Sequence, residues 1–152
     1  MRLAGMLLAG AVAFGAVLYG PAVAEPRPEV DADTLPKAVE ARRLLKAKAY
    51  DKALPLLQSL VADGRESADI QSNLGFALRK LGDLDRSYRH YQIAIGIDPE
   101  HLGAREYLGE LYLMRSDVAS ARRQLAILER LCPDGCEERE ELIEAIRAFE
   151  GR

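Results

Sequence analysis

The chain has 152 residues, with 21 Lys and Arg against 24 Asp and Glu, a formal charge of −3 and no tryptophan. Mild acidity with interspersed charges excludes the basic face that nucleic acid requires and the polybasic stretch that an anionic membrane surface requires. Abundant Ala, Leu, Arg and Glu suit packed helices, and no segment shows the alternating β-branched pattern of a strand, so the composition points to an all-α fold.

Taken from the amino terminus, residues 1–24 read as a secretory signal rather than as part of the fold. Arg2 gives a short positive start, and Leu3 to Tyr19 is almost entirely apolar. Gly20-Pro21 then breaks any helix, and Ala22-Val23-Ala24 offers the small residues a signal peptidase needs. Cleavage is expected between Ala24 and Glu25, leaving no stable membrane insertion; the alternative is a retained anchor, because the apolar run approaches bilayer-spanning length. No cysteine stands near the junction to carry a lipid. The leader fits a bacterial source and hence a periplasmic protein, with secretion from the cell as the other destination. Residues 25–33 (EPRPEVDAD) have no apolar period and read as a flexible tether.

Residues 68–101 and 102–135 are two successive copies of one unit 34 residues long. Leu74-Gly75 lines up with Leu108-Gly109, Ser87 with Ala121, Tyr91 with Leu125, Ala94 with Leu128, and Pro99 with Pro133. Counting back gives a weaker copy at 34–67, in which Ala41 stands where Gly75 and Gly109 stand, Pro55 lies inside the second helix, and Gly64 supplies the stop. Each unit reads as an antiparallel helix pair. First helices are predicted at about 35–47, 67–81 and 101–114, and second helices at about 51–62, 84–97 and 117–131. Gly82-Asp83 and Ser116-Asp117 mark the turns inside the second and third units. A seventh helix follows at Glu137–Phe149, with Leu142, Ala145, Ile146 and Phe149 on one face and acidic residues in its first turn.

A unit of this length with this spacing of small and large apolar residues resembles the tetratricopeptide repeat. The resemblance covers residues 34–135 and implies a right-handed superhelical solenoid of three helix–turn–helix units (34–67, 68–101, 102–135), with residues 136–152 as a capping helix. In that family the first helix of each repeat lines a concave face on which extended peptides commonly lie. Carried over by alignment, this face takes Ala38, Arg42, Leu45 and Lys46 from the first copy. The second copy gives Asp69, Ser72, Asn73, Phe76, Arg79 and Lys80, and the third gives Glu106, Glu110, Leu113 and Met114. The resemblance thus implies a groove running from basic to acidic and apolar. In it Phe76, Leu113 and Met114 anchor a side chain, Arg79 and Lys80 hold a carboxylate, and Asn73 meets peptide backbone.

Cys132 and Cys136 enclose the turn sequence Pro133-Asp134-Gly135, and in an oxidising compartment they are expected to form a disulfide that pins the cap helix to the repeats. The competing reading is a small periplasmic metal-binding or thiol-redox accessory protein built on that pair. No nucleophile motif, phosphate-binding loop, dinucleotide fingerprint or His-Glu-x-x-His pair is present, and His90 and His101 read as ordinary boundary residues. The expectation is therefore an exported, non-enzymatic adaptor with no cofactor and no metal, binding a protein or peptide partner. Self-association through an exposed repeat face is a further expectation.

Overall fold

The computed structural model describes residues 31–151. The expected leader, its expected cleavage site and the first part of the expected tether lie outside the described residues. Those described form seven α-helices and no strand: α1 (Pro36–Lys46), α2 (Tyr50–Ala62), α3 (Ala68–Lys80), α4 (Leu84–Ile97), α5 (Leu102–Met114), α6 (Val118–Leu131) and α7 (Glu137–Glu150).

The helix starts follow from local chemistry. Pro36 opens α1, where its missing N–H costs nothing. Ser67 caps α3 by accepting from the Ile70 amide, Asp83 caps α4 through Arg86, and Asp117 caps α6 through Ser120, each at 3.0 Å. His101 does the same for α5, its Nδ1 accepting from the Ala104 amide at 3.0 Å. Helix α2 runs unbroken through Pro55. The end of the expected tether is ordered instead: Ala32–Thr34 forms a 3-10 turn. It is held where Arg42 Nη2 donates to the Asp33 carbonyl and Ser67 Oγ donates to the Asp33 carboxylate, both at 2.7 Å.

The turn inside every repeat has the same geometry. Lys48, Gly82 and Ser116, spaced by the repeat length, all have positive φ (59°, 87° and 60°). In each, the next residue's amide reaches back five positions to the helix carbonyl, as Ala49 to Leu44, Asp83 to Leu78 and Asp117 to Tyr112. Only the middle repeat uses glycine there, and a side-chain-bearing residue in this region costs about 1–2 kcal/mol. Ser116→Gly is therefore expected to raise unfolding stability by about 0.5–1 kcal/mol once glycine's extra chain entropy is subtracted, read as a shift of the urea midpoint. An unchanged or lowered midpoint would count against this account of the turn.

Neighbouring helices pack antiparallel within repeats, and α1, α3, α5 and α7 also touch one another in sequence. The core runs along the stack as connected clusters. Ala41, Leu57, Leu60, Ile70 and Leu74 join the first two repeats; Tyr91, Leu108 and Leu111 join the second and third; Ala121, Leu128, Leu142 and Ile146 seat α7. Gly75 and Gly109 mark the closest approaches. A Cβ at Gly75 would lie 2.5 Å from the Tyr91 ring, and one at Gly109 would lie 2.6 Å from the Leu142 side chain. Helix α7 occupies the place of a fourth first helix, with Leu142 in register with Leu74 and Leu108. Ile143 stands where Gly75 and Gly109 stand.

Candidate groove on the first-helix face

Successive first helices touch while successive second helices stand apart, so the stack bends toward the first-helix side. On that side two adjoining cavities open. One, of about 550 Å³, is walled by Phe76 and Lys80 of α3, Glu106, Tyr107 and Glu110 of α5, and Glu141, Glu144, Ala145 and Ala148 of α7. The other, of about 420 Å³, shares Glu110, Ala145 and Ala148 and adds Arg79, Leu113, Met114, Ser116 and Phe149.

Aromatic rings make the floor. Phe76 packs edge-on against Tyr50 (centroids 5.8 Å) and tilted against Tyr107 (4.8 Å), and Tyr107 reaches Tyr91 (6.1 Å). Arg79 lies within this layer, 5% exposed, with its guanidinium 5.5 Å from the Phe76 centroid and 5.6 Å from that of Tyr107. It forms an ion pair with Glu110 of the next repeat, and its Nε donates to the Tyr91 hydroxyl at 3.3 Å. Burial works against its charge, and Tyr91 and Glu110 more than offset that. Burial in turn raises the Tyr107 phenol to about 12, with Glu106 adding to the effect.

This placement corrects the reading of Arg79 as a clamp for a partner's carboxylate. Its carboxylate comes from Glu110, 31 positions along the chain, and its planar face is covered by rings. Lys80 is the exposed cation, its Nζ 5.2 Å from the Phe76 centroid. Glu106 is buried as well. It is 3% exposed, and burial, followed by repulsion from Glu110 and Glu141, raises its carboxyl to about 9, so at neutral pH it is a neutral acid. Leu113 belongs to the core and borders the second cavity, whereas Met114 is 53% exposed. Ala38, Leu45 and Ser72 are buried in the packing. Arg42 is half-buried and spent on the Asp33 carbonyl, Lys46 is exposed, and Asn73 is half-buried one turn before Phe76. The expected gradient from basic to acidic thus survives only in Lys46 and Lys80 at one end and in carboxylates at the other.

Tyr107, Glu141 and Glu144 were not singled out by sequence. The glutamates of α7 read as a solvated face, and they are exposed, but the packing of α7 on α5 turns two of them toward the cavity mouth. The one available signal was Leu142 in register with Leu74, which makes α7 a further first helix and hence part of the groove. Both histidines are structural: His90 Nδ1 hydrogen-bonds Gln71 Oε1 at 2.7 Å, and His101 bonds Asp69 at 2.9 Å besides capping α5. The Asp69 contact pushes the His101 pKa up. Among the described residues no three His, Cys, Asp or Glu side chains converge to hold a metal ion, and no helix is long and apolar enough to cross a membrane.

Cys132 and Cys136 bring their sulfurs within bonding distance across the turn, with Cα atoms 6.0 Å apart. Gly135 takes φ 106°, and Arg139 Nη1 donates to the carbonyls of Cys132 and Pro133, each at 3.1 Å.

Against known proteins, the family model described as tetratricopeptide repeat matches residues 39–101 and again 77–135. No curated protein matches the sequence. Among solved structures, MamA from residue 41 to its end, of Desulfovibrio magneticus RS-1, is similar at TM-score 0.60 and 26% identity, covering 64% of this chain. The chain spans about half, 55%, of the length of that MamA chain. The type III secretion translocator chaperone SycD of Yersinia enterocolitica has the same fold at TM-score 0.69 and 19% identity, over 80% of this chain and 87% of that one. PcrH, solved in complex with the chaperone binding region of PopB, gives TM-score 0.60 and 18% identity over 73% and 89%.

Proposed function

We propose, from the premise that this chain belongs to the tetratricopeptide repeat family, that it serves as an adaptor holding an extended segment of a protein partner in its groove. Protein–protein interaction is the role that family and fold support; the site and the exported setting are our reading. The observation that carries it is the pair of adjoining cavities on the inner face, floored by rings and rimmed by Lys80 and Met114. An extended chain crossing both would set alternate side chains into them. PcrH, which shares the fold at low identity, was solved holding a region of its partner, in line with this use of the architecture. Docking is reversible and needs no covalent step, so the reading is non-enzymatic.

The test is capture of a partner from periplasmic extract by wild-type protein and by an Asn73→Ala, Met114→Ala double variant. Both positions are on the groove side and outside the core, so helicity should be unchanged while affinity for the partner falls by about 2 kcal/mol. A partner held equally by both would move the site off this face.

The exported setting rests on the leader, and the intact mass of protein recovered from the periplasm tests it: a chain beginning at Glu25 is expected. In that compartment Cys132 and Cys136 are read as a disulfide that fastens α7 to α6. Protein purified without reductant should show no free thiol. Reduction should lower stability by at most about 2 kcal/mol, because the closed loop is short and Arg139 also braces the turn. Two reactive thiols, or a stoichiometric soft metal, would favour the accessory-protein reading instead.

A further inference from the structure

The larger cavity has an unusual floor. Glu106 is almost wholly buried, yet it lines the cavity, and its carboxyl has no hydrogen bond or ion pair among the described residues. Burying such a group without a partner is costly unless something else recovers the loss. Around it stand Glu110 on the same helix, matched by Arg79, and the exposed Glu141 and Glu144 of α7 at the mouth. The cation on the wall, Lys80, lies over the Phe76 ring and forms no ion pair among the described residues. The Phe76 and Tyr107 rings flank the space.

We infer that this cavity is the seat of a lysine or arginine side chain of the bound segment, whose charged end meets Glu106 while its stem lies along Phe76 and Tyr107. The inference rests on the groove reading above and names the chemistry of its occupant. A long aliphatic stem suits an aromatic wall, and a cationic head suits both the ring faces and the carboxylates. The glutamates are strung along the cavity and do not converge as a metal site would, which matches an extended organic cation rather than a point ion. An acidic or wholly apolar side chain would leave Glu106 unpartnered and would meet Glu141 and Glu144 on entering.

Occupation has a proton signature. In the empty groove Glu106 is held neutral by burial and by the charges of Glu110, Glu141 and Glu138, against the opposing pull of Arg79. A cation placed beside it reverses that balance, so binding near pH 7 releases a proton: the carboxyl O–H breaks, the carboxylate pairs with the incoming ammonium or guanidinium, and buffer takes the proton. Tyr107, which also faces the cavity beside Lys80, stays protonated at that pH, because burial raises its phenol to about 12.

Random short peptides displayed on phage, selected on the immobilised protein and then synthesised, supply the probe. The expected result is enrichment of Lys- or Arg-bearing sequences that bind roughly thirtyfold more weakly to Glu106→Gln, the loss typical of one buried charge partner. Calorimetry of the same peptides in buffers of differing ionisation heat should show about one proton released with wild type and none with Glu106→Gln. Selected peptides without a basic residue, still sensitive to Asn73→Ala with Met114→Ala, would overturn this inference and leave the groove reading standing. Failure to select any peptide, or peptides indifferent to every groove variant, would overturn both.

Discussion

Replacing Glu106 by glutamine is expected to make the protein more stable at neutral and alkaline pH while changing little at pH 4. The folded-state pKa is raised from 4.5 to about 9, first through burial and then through Glu110 and Glu141. For an acid raised in this way the native state holds a proton that the unfolded chain releases above pH 4.5. Stability is therefore fully present below that pH and falls as pH rises toward the folded value. The slope is at most about 1.4 kcal/mol per pH unit, so by pH 7 the wild type should trail the variant by about 3 kcal/mol, as an order of magnitude. Glutamine keeps the shape and cannot ionise, and any cost of its buried amide is the same at every pH. Urea unfolding of both proteins at several pH values between 4 and 9 reads the effect as a divergence. Parallel stability curves would sink it. A groove residue whose removal stabilises the fold is what a binding site built at the expense of stability looks like.

The second large effect is expected at Arg79. Arg79→Ala removes the guanidinium set against the Phe76 and Tyr107 rings, leaves Glu110 without its cation and strips the Tyr91 hydroxyl, itself wholly buried, of a donor. Breaking a buried pair from one side typically costs about 3–5 kcal/mol. Glu110 is partly open to water, which places this case near the lower end, about 3 kcal/mol. Arg79→Met, which keeps a stem but no charge, should recover part of the loss. Its stability relative to Arg79→Ala in denaturant separates packing from charge. A cost below about 1 kcal/mol for alanine would mean that Arg79 is not the brace described here. Because Arg79 is also the group holding the Glu106 carboxyl down, its removal should push Glu106 further toward the neutral form.

Much of this architecture was legible without coordinates, for reasons that can be named. Helix starts at Ser67, Asp83 and Asp117 are written by side chains that satisfy their own first turn, so sequence places them within a residue or so. Gly75 and Gly109 announce close helix contacts because any Cβ would collide there. The 3-10 turn at Ala32–Thr34 was not legible, since its anchors, Arg42 and Ser67, lie up to 34 positions away. Nor was the brace function of Arg79: on a helical wheel it occupies a groove position like Lys80, and only the neighbouring repeat reveals that Glu110 has claimed it.

What the sequence by itself determined is the repeating unit: its length, the seven helices of residues 36–150, the turns between them and the side of each helix that packs. These depend on contacts within a turn or between adjacent helices, which a period records directly. The tertiary structure alone decided the state of the groove. Whether a charged side chain there is free, paired or neutral depends on what the next repeat sets opposite it and on how much water the curvature of the stack admits. Arg79 became a paired brace, Glu106 a protonated acid, and the glutamates of α7 a cavity rim because desolvation and Coulomb interaction act through space, across the distances that stacking creates and a linear period does not contain.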